Sequence, residues 1–239
     1  MPEYESFANP PVEEAIITMR VRSLDDPGAI ARRLAASEQE RYPVFEVIDP
    51  DTEPVGADEF EGGAEGYRLL SPGGNDVIRI SGRSFSFHRL RPYEGWTPFV
   101  QRAREAWLAF SAAASPDEVQ SLQLRYLNRL ELPGSIGEWG EYLSIRATIP
   151  PSLERGVSNY MVTLNLEDAY VPARARLTQI ALPGPGGATI ILDVDVRAVA
   201  VFPAGSGDEK MWRTLERMRE YKNRVFFEGL TDRAKEMFR

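Results

Sequence analysis

From Val12 to Arg22 the chain alternates, with Val12, Glu14, Ile16 and Thr18 on one side and Ala15, Ile17, Met19 and Val21 on the other. The second side is uniformly apolar, the pattern of a strand with one face against a core. Before it, Phe7-Ala8-Asn9-Pro10-Pro11 is held extended by proline. Asp25-Asp26-Pro27 predicts a helix start, a carboxylate cap followed by proline in the first turn. Ile30, Ala31, Leu34 and Ala35 form its buried stripe, and Tyr42-Pro43 is expected to end it. Short strands are expected at 44–48, 67–70, 77–81 and 84–89, with Pro72 to Asn75 and Gly82-Arg83 as turns. The acidic, glycine- and proline-rich stretch from Asp49 to Gly66 reads as a long surface loop. Between Gly95 and Ala114 the period changes: Trp96, Phe99, Ala103, Trp107 and Phe110 recur at helical spacing, and Pro116 is expected to close that helix.

The second half opens with a long strand, 119–132. Leu122, Leu124, Tyr126, Asn128 and Leu130 share one face, and Gln123, Arg125, Leu127, Arg129 and Glu131 the other. A short helix is expected at 136–142 and strands at 160–166, 174–182 and 188–202, the last two joined by Pro183 to Gly187. Asp208 is expected to cap a helix reaching Phe227, with Gly229 ending it and Thr231 starting a final short one. The expectation is an α+β fold of two related halves, 1–116 and 117–239, each an antiparallel sheet followed by a long helix. No residue-level repeat accompanies this suggested duplication.

Composition narrows the chemistry. There is no cysteine, so no thiolate nucleophile, no disulfide framework and no cysteine metal site. Any histidine mechanism runs through His88 alone, and lysine occurs only at 210, 222 and 235. Neither a metal nor a cofactor is expected. A net charge of −8 opposes binding to nucleic acid or to an anionic membrane. No apolar run reaches membrane-spanning length, and Met-Pro-Glu-Tyr-Glu-Ser lacks the regions of a secretory signal, so a cytoplasmic location is expected. The chain carries neither a Gly-Lys-Ser/Thr phosphate loop nor Gly-x-Ser-x-Gly, and its Gly184-x-Gly186-Gly187 joins strand to strand.

Several constellations remain. His88, beside Arg89 and Arg91, shares a strand face with Ser84 and Ser86 and reads as a surface residue before it reads as a base. Asp193, Asp195 and Arg197 share one face of the last strand, alternating with Val194, Val196 and the apolar side of Val199. That pattern could make a carboxylate site, but it reads first as a solvated polar face. Arg83, Phe85, Phe87, Arg89, Arg91, Tyr93 and Trp96 interleave cations and rings, which would stack bases if exposed. Acids of the 49–65 stretch lack the spacing of a calcium loop.

Four segments also occur in a telling order: Phe7-x-Asn9-Pro10-Pro11-Val12-x-Glu14; Tyr93-x-x-Trp96-x-x-Phe99; Leu124-Arg125-Tyr126-x-Asn128 with Leu132-Pro133; and Lys222-Asn223-x-x-Phe226-Phe227 with Leu230-Thr231-Asp232 and Phe238. Together they resemble a sporadically distributed prokaryotic family without an assigned function. The resemblance implies a cytoplasmic protein, and by analogy with sporadic genes a defence or toxin–antitoxin component. It supplies no catalytic residues.

The functional expectation is a non-enzymatic protein that binds another protein, with self-association through sheet edges as a further route. Two other classes stand beside it. One is a small-molecule binder or enzyme with a carboxylate/arginine site between the halves, drawn from Glu14, Arg125, Asn128, Asp193 and Asp195; the equal alternative for Glu14 and Arg125 is a structural ion pair linking the halves. The other is an RNA-binding module using the arginine–aromatic residues.

Overall fold

The computed structural model describes residues 4–48, 66–134, 136–146, 158–169, 171–184, 186–203 and 209–239, with Thr148, Pro150 and Ser152. The fold is α+β. Nine strands form one antiparallel sheet: β1 (Val12–Val21), β2 (Val44–Ile48), β3 (Gly66–Leu70), β4 (Asp76–Ser81), β5 (Ser84–Leu90), β6 (Glu118–Pro133), β7 (Tyr160–Glu167), β8 (Arg174–Gly184) and β9 (Gly187–Pro203). Among the described residues there are four α-helices: α1 (Pro27–Ser37), α2 (Trp96–Ala114), α3 (Glu209–Gly229) and α4 (Asp232–Glu236). None is long and apolar enough to cross a membrane. The strand order is β2-β3-β4-β5-β1-β6-β9-β8-β7. From one edge β2 to β5 step inward to β1, and from the other β7 to β9 step inward to β6.

The chain divides into two compact units. The first takes Met1–Glu14, Leu124–Arg197 and Glu216–Arg239; the second takes Ala15–Gln123 and Ala198–Leu215.

In the second unit α2 owes its place to the aromatic period read from the sequence. Phe85 lies 5.4 Å from Trp107 and 4.9 Å from Phe110, and Phe87 lies 5.9 Å from Phe99, centroid to centroid. All five rings are buried, and burial of each contributes roughly 2–3 kcal/mol. Asp26 caps α1 by accepting from Ala29 N at 2.8 Å. The helix ends at Ser37, before the expected Tyr42-Pro43, because Glu38 leaves helical geometry and its N–H bonds Leu34 O. Ser115, in the left-handed region (φ 47°), ends α2 one residue ahead of Pro116, and Arg33 donates to Ala113 O at 3.0 Å to satisfy a terminal carbonyl. Gly28 lets α1 approach β3, since a Cβ there would stand 2.7 Å from Tyr67 Oη.

In the first unit β7, β8 and β9 pair in register from Tyr160↔Ala181 and Arg174↔Arg197 to Gly184↔Gly187, a hairpin tighter than the expected loop. Met218, Tyr221 and Val225 of α3 are buried at three- and four-residue steps, with Phe226 buried beside them. Thr231 caps α4, and a 3-10 turn covers Ile136–Glu141. The acidic stretch 49–65 and the expected Asp208 cap lie outside the described residues.

Candidate functional site

Strand alternation in the first unit gathers charge on one sheet face. Asp193 stands opposite Thr178, Asp195 opposite Arg176, and Arg197 opposite Arg174. Arg125 grips Asp193 with a two-pronged contact, Nε to Oδ1 at 3.0 Å and Nη2 to Oδ2 at 2.8 Å. Arg197 Nε donates to Asp195 Oδ2 at 2.8 Å. This face is not the solvated one expected: Asp195 is 4% exposed, and Arg125 and Asp193 keep only 17% and 18% of their side chains in contact with solvent. Burial raises the Asp193 carboxyl above its ordinary range; the bond from Arg125 opposes that shift, and nearby Asp195 adds to it. Both oxygens of Asp193 are spent on the guanidinium, so the pair fixes β6 to β9 as a clamp. Val199, expected on the apolar side, is 90% exposed. Its odd number puts it in phase with Asp193, Asp195 and Arg197.

Asn128 faces the other way. It is buried, and its Nδ2 donates to Leu192 O at 3.0 Å and Tyr126 O at 3.3 Å. Glu14 is half-buried in β1. The structure therefore brings Arg125 to Asp193, sets Asp195 beside them on the same face, and anchors Asn128 separately in backbone hydrogen bonds.

His88 is corrected from surface to core: it is 8% exposed, with Nε2 2.8 Å from Ser86 Oγ, and Ser86 is 3% exposed. A serine nucleophile needs an approach for the acyl group. Two buried residues at successive same-face positions of β5 instead make a core hydrogen bond. Arg89 lies on the opposite, aromatic face, buried in a ring of charges. It donates to Asp76 at 3.0 Å and to Pro92 O at 3.0 Å, and pairs with Glu94 at 3.1 Å, while Arg102 closes on Glu94 at 2.7 Å. The bond from Arg102 holds the Glu94 carboxyl below its usual range. Arg91 is exposed, and its carbonyl accepts from Asn75 Nδ2. Phe85 and Phe87 of the arginine–aromatic interleave are unavailable to bases, both being 0% exposed, and Trp96 is buried as well.

Three of the four motif segments lie together in the first unit, while Tyr93, Trp96 and Phe99 belong to the second. Phe7 lies 5.3 Å from Phe227 and 5.5 Å from Phe238, and Asn9 N donates to Phe238 O at 3.0 Å. Arg129 N donates to Pro11 O at 2.8 Å. Lys222 Nζ sits 3.9 Å from the centroid of the Tyr126 ring and 5.9 Å from that of Phe226. Nearby, an open groove of about 510 Å³ is lined by Tyr4, Glu5, Phe227, Glu228, Leu230 and Lys235. Two of its charges are engaged internally, Glu5 by Arg239 at 2.7 and 2.9 Å and Lys235 by Asp232 at 3.1 Å. Among the described residues no group of three or more acids and histidines is placed to hold a metal.

Two placements were not read from the sequence: Lys222 of the last motif on the Tyr126 ring, and the expected strand 160–166, here β7, at the edge of the sheet. The even positions of β7, Tyr160, Val162, Leu164 and Leu166, are half-buried, and its odd positions are exposed, Met161 at 68%. No protein-family profile matches the chain, and no curated protein matches it.

Proposed function

We propose that this is a non-enzymatic interaction protein that receives an extended segment of a protein partner along β7. The observation that carries the reading is the character of that edge. β7 runs eight residues, paired on one side with β8, and carries no charge, proline or glycine from Tyr160 to Leu166. Its one charge, Glu167, is paired with Arg174 at 3.1 Å. The other edge, β2, is five residues long and carries Glu46 at its centre, paired with Arg68, a combination that blunts edge pairing. A long uncharged edge with half-covered apolar side chains suits strand addition. Backbone bonds would supply affinity there, and alternate side chains selectivity. The partner segment is therefore an extended one presenting apolar residues at every second position.

The polar clusters support this reading over an enzyme, because Arg125 is engaged by Asp193, Asp195 by Arg197 and Arg89 by Asp76. On the resemblance alone we extend the proposal to membership of the sporadic prokaryotic family and to a cytoplasmic defence or toxin–antitoxin role. The similar inward windings of β2–β5 onto β1 and of β7–β9 onto β6, which differ by one strand, support an internal duplication.

The test compares wild type with Thr163→Lys, at an exposed β7 position, and Val47→Lys, at an exposed position on β2. Each is used as bait in host lysate, with sedimentation velocity of the pure protein alongside. A stoichiometric partner retained by wild type and Val47→Lys and lost from Thr163→Lys is expected. A wild-type dimer abolished by Thr163→Lys would identify the partner as a second copy. A partner held equally by all three proteins, or a wild type that is monomeric and partnerless, would overturn the proposal.

A further inference from the structure

We infer that, given strand addition along β7, the segment received there is the β7 of a second copy of this chain, laid antiparallel with Thr163 opposite its own twin. Among the described residues β7 pairs with β8 on one side and is the last strand of the sheet on the other. What selects a second copy is that the strand is its own complement when read backwards.

Opposed residues of an antiparallel pair point to the same face, so β7 can face itself only with even positions against even and odd against odd. Centring the two-fold on Thr163 sets Tyr160 opposite Leu166 and Val162 opposite Leu164, all four on the half-buried face. Every half-covered apolar side chain of the strand then meets an apolar side chain across the new pair. On the exposed face Met161 meets Asn165, and the row Thr178–Thr163 of β8 and β7 continues into its mirror image. Glu167, the one charge of the strand, falls opposite Asn159, so no like charges are opposed. Moving the centre by one residue spoils this match. Centred on Leu164, Tyr160 faces Asp168 and Met161 faces Glu167; centred on Val162, Leu166 faces Ser158.

The pairing also closes. It consumes the long uncharged edge of both copies and leaves β2, five residues long with Glu46 paired to Arg68, as the outer edge of each. Association through one self-complementary edge stops at two copies, whereas β2-to-β7 contacts would run on as a filament.

The test uses the full-length protein and exposed β7 positions, and the absence of native cysteine makes the register readable. Wild type is expected to sediment as a dimer. Thr163→Lys and Thr163→Glu each set like charges face to face and are expected to weaken it about five-fold or more. An equimolar mixture of those two variants is expected to recover the dimer as a heterodimer. Under mild oxidation Thr163→Cys is expected to cross-link to itself. Met161→Cys is expected to cross-link to Asn165→Cys and not to its own twin, which stands about 14 Å away, beyond disulfide reach. A wild type that stays monomeric, while Thr163→Lys loses a different protein from host lysate, would overturn the second copy and leave strand addition along β7 standing. If no such protein is lost either, both fall. A dimer unchanged by Thr163→Lys and Thr163→Glu would overturn self-pairing along β7. A dimer weakened by both, which mixing does not restore and Thr163→Cys does not cross-link, would overturn the register.

Discussion

Arg125 and Asp193 are joined through two parallel hydrogen bonds although 68 residues separate them in the chain. The contact ties β6 to β9 inside the first unit and removes from consideration the two charges most suggestive of an active site. Removing one partner leaves the other short of solvent and unpaired. Arg125→Met is therefore expected to cost ~3 kcal/mol, the lower end for a buried pair, because each side chain keeps some solvent contact. Joining it with Asp193→Leu should restore much of the loss. Urea denaturation of the single and double variants tests this, and strictly additive losses would show that the clamp is not a unit.

The same logic separates a core aromatic from a base-stacking one. Phe85 is buried against Trp107 and Phe110, so Phe85→Ala should lower stability by ~3–5 kcal/mol. A surface platform residue would lose less than about 0.5 kcal/mol. Chemical denaturation decides between the two values.

Gly28 predicts a paired effect. An alanine Cβ would press on Tyr67 Oη, and Tyr67 is itself buried and stacked 6.1 Å from Phe45. Gly28→Ala is expected to cost ~1–3 kcal/mol as overpacking despite the better helix former. In a Tyr67→Phe background, with the hydroxyl gone, most of that penalty should disappear from the thermal midpoint. An unchanged penalty would place its cause in the backbone.

What the sequence reveals follows from what periodicity measures. Alternation in β6 and the ring spacing of α2 were legible because each element buries one side, β1 because one of its two buried faces is wholly apolar, and local caps such as Asp26 and Thr231 because they depend on neighbouring residues alone. Alternation says which residues share a face, but not whether that face is open. His88, on the Ser84–Ser86 face, and Asp195, on the Arg197 face, were thus assigned to the right sides and the wrong environments. β5 is buried on both faces over Ser84 to Arg89, where a polar residue can only be judged by its neighbours. Lys222 was invisible for a related reason. Its helical neighbour Phe226 is fixed by local spacing, but the ring beneath its ammonium belongs to a distant strand.

Lys222 also predicts how stability varies with pH. Its folded pKa, about 7, lies below the unfolded value of 10.5. Below pH 7 the group is charged in both states, and folding carries the full cost of burying the cation. Between about 7 and 10.5 the unfolded chain binds the extra proton, so stability rises with pH by up to about 1.4 kcal/mol per unit. Above that range the cost is gone. Lys222→Met keeps the packing without the charge, so it should be more stable than wild type at pH 6–7 by a few kcal/mol, with the difference shrinking toward pH 10. Denaturant midpoints of the two proteins at pH 6, 7, 8, 9 and 10 measure this directly. A constant difference across the series would mean that the folded amine titrates as it does in the unfolded chain, and that the Tyr126 and Phe226 rings leave its ammonium solvated.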